Sequence, residues 1–238
     1  MSGHSKWATT KHKKAAADAK RGNLFTKLSK NISVAARAGA DPNFNFSLRL
    51  SIDKAKEANM PKDKIELAIQ RGAGGADGAT IEEVLYEAFG PSGAALLIAG
   101  VTDNKNRTTS EIKTILGKNG GTFGAQNSVK WMFEHKGVVH LAPEQIKNND
   151  ELMLELLEIG ADDVAEEEGG LTIYCGFVNF EKVKKQLEQK NLKLEYAEME
   201  WVAKDKIPVN DDVRSQVERM VEILEEHDDV NSVYSNIA

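Results

Sequence analysis

The chain has little cysteine, no long hydrophobic run and, taken whole, a deficit of positive charge. Cys175 is the single cysteine among 238 residues, so neither an intramolecular disulfide nor a cysteine-based zinc site can form. Inside the apolar stretch LTIYCGF it reads as a small core residue rather than a nucleophile. The longest apolar run, residues 94–99, is far too short to span a bilayer, and the polar start lacks the apolar centre of a secretion signal. The expectation is a cytoplasmic protein without a membrane partner. His4, His12, His135, His140 and His227 show no helix-face pairing for a metal, and no Ser-His-Asp or Cys-His machinery is legible. The glycine-rich stretch 72–80, GAGGADGAT, lacks the trailing Gly-Lys-Ser/Thr of a phosphate loop and carries Asp77 where a dinucleotide fingerprint needs glycine. No catalytic residue, cofactor, metal or small-molecule substrate is therefore expected.

What is present is an uneven distribution of charge. The formal net charge is -6 and the sequence pI about 5.5, yet residues 1–75 hold fifteen Lys plus Arg against six Asp plus Glu, a net of +9. The remainder holds sixteen against thirty-one, a net of -15. Within residues 3–37, nine basic side chains face a single acid, Asp18. Basic groups release condensed counterions when they sit on phosphates, so this end points to a polyanion; the alternative is a solvated helix face.

The apolar pattern divides the chain into three domains of an α+β protein. Residues 1–75 read as a basic helical bundle. A helix over 11–21 stops at Gly22, and the next places Phe25, Leu28, Ile32 and Ala35 on one face, with Lys27, Lys30 and Arg37 on a free opposite face. The 72–80 stretch is the clearest linker. From residue 134 the order is strand, helix, strand, strand, helix, strand, the βαββαβ ferredoxin-like pattern, ending near 205. The strands of 81–133 lack a closing helix and strand, which 206–238 supplies. A discontinuous α/β domain, 81–133 plus 206–238, is thus predicted to carry the ferredoxin-like unit as an insertion. ELLEIGADDV at 155–164 echoes EILEEHDDV at 222–230. The acidic residues Asp162, Asp163, Glu166, Glu167 and Glu168 read as a solvated sheet edge.

Two sets of residues are candidates for binding. Lys6, Lys11, Lys13, Lys14, Lys20, Arg21, Lys27 and Lys30 would neutralise phosphates, and Trp7 would either stack on a base or dock the arm onto the bundle. The polar run TDNKNRT, residues 102–108, follows an apolar strand and opens a helix over 107–118. Its Asp103, Asn104, Asn106 and Arg107 are either an N-capped turn or a second contact to phosphate or base edges.

Motifs along nearly the whole chain resemble the YebC/PmpR family: GHSKW at 3–7 with Lys13, Asp18, Lys20, Arg21, Gly22 and Phe25; then NMP at 59–61, YEAFGPSG at 86–93, TDNKNRT, and KNGGTFG at 118–124. Ser92 and Asn127 stand where this family usually has glycine, and Lys113 where arginine is common. The resemblance implies three domains, one helical and two α/β, and a cytoplasmic DNA-binding transcriptional regulator. It also implies an alternative, a ribosome-associated factor that relieves stalling at sequences such as proline runs; a mitochondrial branch activates translation. The charge reading fits promoter DNA and ribosomal RNA equally. The expectation is a non-enzymatic nucleic-acid-binding regulator acting as a monomer, with an enzyme using the 102–108 loop as a further alternative.

Overall fold

The computed structural model describes residues 21–74, 81–143, 149–167 and 170–238, a mixed α/β chain with seven α-helices and two sheets among those residues. In chain order the elements are α1 (Arg21–Ala36), α2 (Phe46–Glu57), α3 (Lys62–Gly72), β1 (Glu82–Phe89), β2 (Ala95–Thr102), α4 (Lys105–Lys118), β3 (Thr122–Phe123), β4 (Phe133–Leu141), α5 (Asn149–Ile159), β5 (Ala161–Glu167), β6 (Gly170–Cys175), α6 (Phe177–Gln189), β7 (Leu194–Ala203), α7 (Asp211–Glu226) and β8 (Val230–Ser235). The described residues form two compact units, 21–128 with 210–233, and 129–209 with 234–238.

In the first unit, Leu28, Ile32 and Ala36 recur every fourth residue along α1 and close on Leu48 and Ile52 of α2 and Ile65 and Ala68 of α3. Gly22 is itself helical, the second residue of α1, and the helix expected over 11–21 to end at it lies outside the described residues except for Arg21. Gly72 is not loose linker. It is the last residue of α3, and a Cβ there would fall 2.1 Å from the carbonyl oxygen of Ser33, so only glycine lets the helix reach α1 this closely. Residues 75–80 of the expected linker lie outside the described residues.

The sheet of this unit has the order β3-β1-β2-β8 and is drawn from two distant parts of the chain. β1 and β2 form an antiparallel hairpin with Tyr86 opposite Ile98. Its turn holds Ser92 at φ 56°, and Asn127 further on sits at φ 63°. Both are left-handed conformations that glycine adopts freely, and asparagine tolerates them better than serine. α4 begins two residues earlier than its apolar pattern suggests and buries Thr108, Ile112 and Leu116; α7 buries Val217, Met220 and Leu224. At Gly100 a Cβ would stand 2.0 Å from the carbonyl oxygen of Asp229, and the neighbouring Val101 N–H donates to that oxygen at 2.9 Å. The missing side chain thus lets β2 meet the residue that leads into β8.

In the second unit the order β4-α5-β5-β6-α6-β7 is the ferredoxin-like one, folded as a sheet β5-β6-β4-β7 with antiparallel pairs throughout. Val138, Leu171 and Ile173 of the sheet and Phe180, Val183 and Leu187 of α6 are fully buried. Cys175 belongs to this core, and burial pushes its thiol up to about 11. β5 is the edge strand, with Asp162, Asp163 and Glu166 exposed and Asp162 Oδ2 3.4 Å from Lys136 Nζ. Glu168 lies outside the described residues.

Candidate nucleic-acid interface

The 102–108 run is shaped from both ends. The Thr102 hydroxyl, wholly buried at the end of β2, accepts the Asn104 N–H at 2.9 Å and lies 2.8 Å from the Thr108 hydroxyl. Asn104 takes extended backbone angles and its side-chain oxygen accepts the Arg107 N–H at 3.1 Å, the N-cap of α4. Asp103, Asn104, Lys105 and Asn106 are left on the exposed side of the turn, above the amino end of the helix.

Beneath that turn lies Asp229, 2% exposed. Its Oδ2 accepts from the Thr108 hydroxyl at 2.7 Å, the Thr102 hydroxyl at 3.2 Å and the Arg107 guanidinium at 3.0 Å, and its Oδ1 pairs with Lys30 Nζ of α1 at 2.5 Å. Burial alone would raise this carboxyl; the hydrogen bonds from Lys30, Thr108 and Arg107, with the Lys30 charge, outweigh it and hold the group well below the usual carboxylate range. Arg107 is also bound to Asp103 Oδ1 at 2.8 Å, and its hydrogen bonds to Asp229 and Asp103 raise its own pKa. Next to it, the Asp229 N–H donates to His227 Nδ1 at 3.1 Å, which leaves the proton of a neutral ring on Nε2, 2.8 Å from Glu111 Oε2.

Glu111, His227 and Asp229 each bring a possible ligand atom within 4.8 Å of the others, a convergence that the spacing of the histidines along the chain does not reveal. The donor set does not suit a metal. Lys30, Arg107 and two threonines already hold the Asp229 oxygens, and both ring nitrogens of His227 are engaged, so an ion would have to displace two cations and break four hydrogen bonds.

The structure therefore rearranges the sequence-derived candidates. Lys30 and Arg107, assigned from sequence to two separate contacts, meet on one buried carboxylate. The face of α1 carrying Lys27 and Lys30 is not free: Lys27 Nζ donates to the Glu225 carbonyl at 2.7 Å and Asn31 Oδ1 accepts from Asn231 at 2.7 Å, so this face seats the bundle on α7 and β8. Of the others, Asp103 and Arg107 pair with each other, Asn104 is the cap, and Asn106 is exposed on the first turn of α4. Arg21 opens α1. Lys6, Trp7, Lys11, Lys13, Lys14 and Lys20 lie outside the described residues. Sequence reasoning missed Asp229, Glu111 and His227, and within the run it singled out it passed over Thr102 and Thr108. The signal for Asp229 and His227 was the 222–230 echo, which contains both.

Comparison with known proteins covers almost the whole chain. Residues 5–75 match the model of the TACO1/YebC protein N-terminal domain, and residues 81–237 that of the TACO1/YebC second and third domain. A "Probable transcriptional regulatory protein" of Dictyoglomus thermophilum is 48% identical over 99% of this chain and 95% of its own length. One of the same description from Halothermothrix orenii is 49% identical over 99% and 94%. The crystal structure of a conserved hypothetical protein from Aquifex aeolicus superposes with a TM-score of 0.86 at 40% identity, covering 98% of this chain and 97% of that one.

Proposed function

The chain belongs to the TACO1/YebC family, and from that premise we propose that it is a non-enzymatic, nucleic-acid-binding regulator of gene expression in the cytoplasm. The observation that carries this reading is the confinement of positive charge, net +9 in residues 1–75 against -15 beyond. Phosphates supply the counter-charge that such an end lacks, and the acidic remainder limits how the chain lies along the polymer. The relatives' description as transcriptional regulatory proteins favours DNA as the polyanion.

The grip is assigned to Lys6, Lys11, Lys13, Lys14, Lys20 and Arg21, with Trp7 beside them. Asp229 withdraws Lys30 and Arg107 from direct phosphate contact and gives them a positioning role. They hold the turn that presents Asn104, Lys105 and Asn106, which makes the second contact one to base edges or shape.

Charge reversal at Lys13, Lys14, Lys20 and Arg21 tests the grip. On duplex DNA the slope of log K against log salt becomes shallower by about 0.9 for each phosphate no longer neutralised, and by about 0.7 on single strands. Structured ribosomal RNA and intact ribosomes, titrated alongside, separate a transcriptional target from a translational one. An unchanged slope on every polyanion would overturn the assignment.

A further inference from the structure

Resting on the nucleic-acid reading above, we infer that Phe44 is a stacking platform for an unpaired nucleobase. Its ring is 92% exposed at the tip of the 37–45 connection between α1 and α2. A single exposed apolar side chain is ordinary on a protein surface; here the backbone beneath it is fixed. Asp41 Oδ1 accepts the Asn43 N–H at 2.8 Å and the Asn43 side-chain amide at 2.9 Å, and the Asp41 carbonyl accepts the N–H groups of Phe44 at 3.2 Å and Asn45 at 3.0 Å. Asn45 is buried and ties the loop to both helices. Its amide donates to the carbonyls of Ala35 and Gly39, each at 2.7 Å, and its oxygen caps α2 through the Leu48 N–H at 3.1 Å. The loop backbone under the ring has thus already lost the freedom that ordering it on binding would otherwise cost.

The charge around it selects the partner. Arg49 donates to the Pro42 carbonyl at 3.4 Å with its guanidinium 5.4 Å over the Phe46 ring, which places a cation against the same loop. Arg37 is exposed where the loop begins, and Asp41, the acid of this loop, spends one oxygen on the two Asn43 donors. An exposed aromatic ring on a loop that starts at Arg37 and is held by Arg49, on the positively charged part of the chain, suits a base with its phosphate better than an apolar pocket of another protein. Stacked duplex bases present no free face, so the partner is a single strand or an RNA loop.

The test uses the full chain, Phe44→Ala and Phe44→Trp, titrated with an oligouridylate of about twelve nucleotides, an abasic strand of equal length and a duplex. Phe44→Ala weakens binding to the oligouridylate about tenfold without changing its salt slope, leaves the abasic strand and the duplex unaffected, and Phe44→Trp restores wild-type affinity or exceeds it. Equal affinity of Phe44→Ala and wild type for the oligouridylate, or an equal loss on the abasic strand, would overturn the assignment. A wild-type chain without a salt slope on any polyanion would remove the underlying reading together with this one; a steep slope with no effect of Phe44 would remove only the platform.

Discussion

Two segments that weakly echo each other, 155–164 and 222–230, each carry a leucine-rich helix into an Asp-Asp-Val sequence at a strand start, and their second aspartates meet opposite fates. Asp163, on edge strand β5, is exposed and accepts the Val164 N–H at 2.9 Å. Asp229, before β8, is buried under the 102–108 turn and takes a lysine, an arginine and two threonines. Local sequence set the helix-to-strand passage in both. What differs is the neighbouring strand: Gly100 of β2 lets a backbone approach Asp229 at van der Waals limits, whereas Asp163 stands at the rim of its sheet. A carboxylate becomes an organising centre when burial removes its water and several donors replace it.

The largest test of this contrast is removal of the two carboxylates in turn. Asp229→Ala strands Lys30 and Arg107 against a buried cavity and costs about 3 kcal/mol in urea unfolding, while Asp163→Ala stays within about 0.5 kcal/mol. The acid limb sharpens it. A carboxyl lowered in the folded state contributes stability that is complete above its unfolded value of about 3.9 and is lost as pH falls through that value toward the folded one. Wild type therefore loses stability below about pH 4 more steeply than Asp229→Ala does, and equal acid profiles would break the comparison.

A smaller effect comes from the approach itself. Gly100→Ala places a methyl against the Asp229 carbonyl, which is backbone and cannot swing aside, and lowers stability by about 2 kcal/mol while weakening the hydrogen bonds to Asp229. The smallest effects run the other way. Gly22→Ala, in open space within α1, and Ser92→Gly, which relieves a left-handed serine, each raise stability by about 0.5–1 kcal/mol. A fall on Gly22→Ala would mean that the position is not an ordinary helical one.

Periodicity made much of the fold readable. The apolar runs EEVLYEAF and AALLIAGV gave β1 and β2, the second buried almost throughout, and the strand-helix grammar from residue 134 onward gave the ferredoxin-like unit. Gly22 turned out to be helical, since glycine is tolerated near the start of a helix whose later turns are packed. The free face assigned to Lys27 and Lys30 misled because a lysine head can cap a carbonyl or pair with a carboxylate on an element almost 200 residues away while its stem covers apolar surface. Asp229 was invisible as a centre since its donors come from α1, β2 and α4, which only folding assembles. The N-cap at Asn104 was readable, being local; the burial beneath it was not.

The core position of Cys175 also has a use at the bench. With its thiol raised to about 11, roughly one molecule in ten thousand carries the thiolate at neutral pH, and that sulfur is sealed between β4 and α6. Maleimides and disulfide reagents will pass over the native chain. A reporter thiol introduced at an exposed position would then be the sole reactive one, so fluorophores or spin labels can be installed singly without first deleting the natural cysteine.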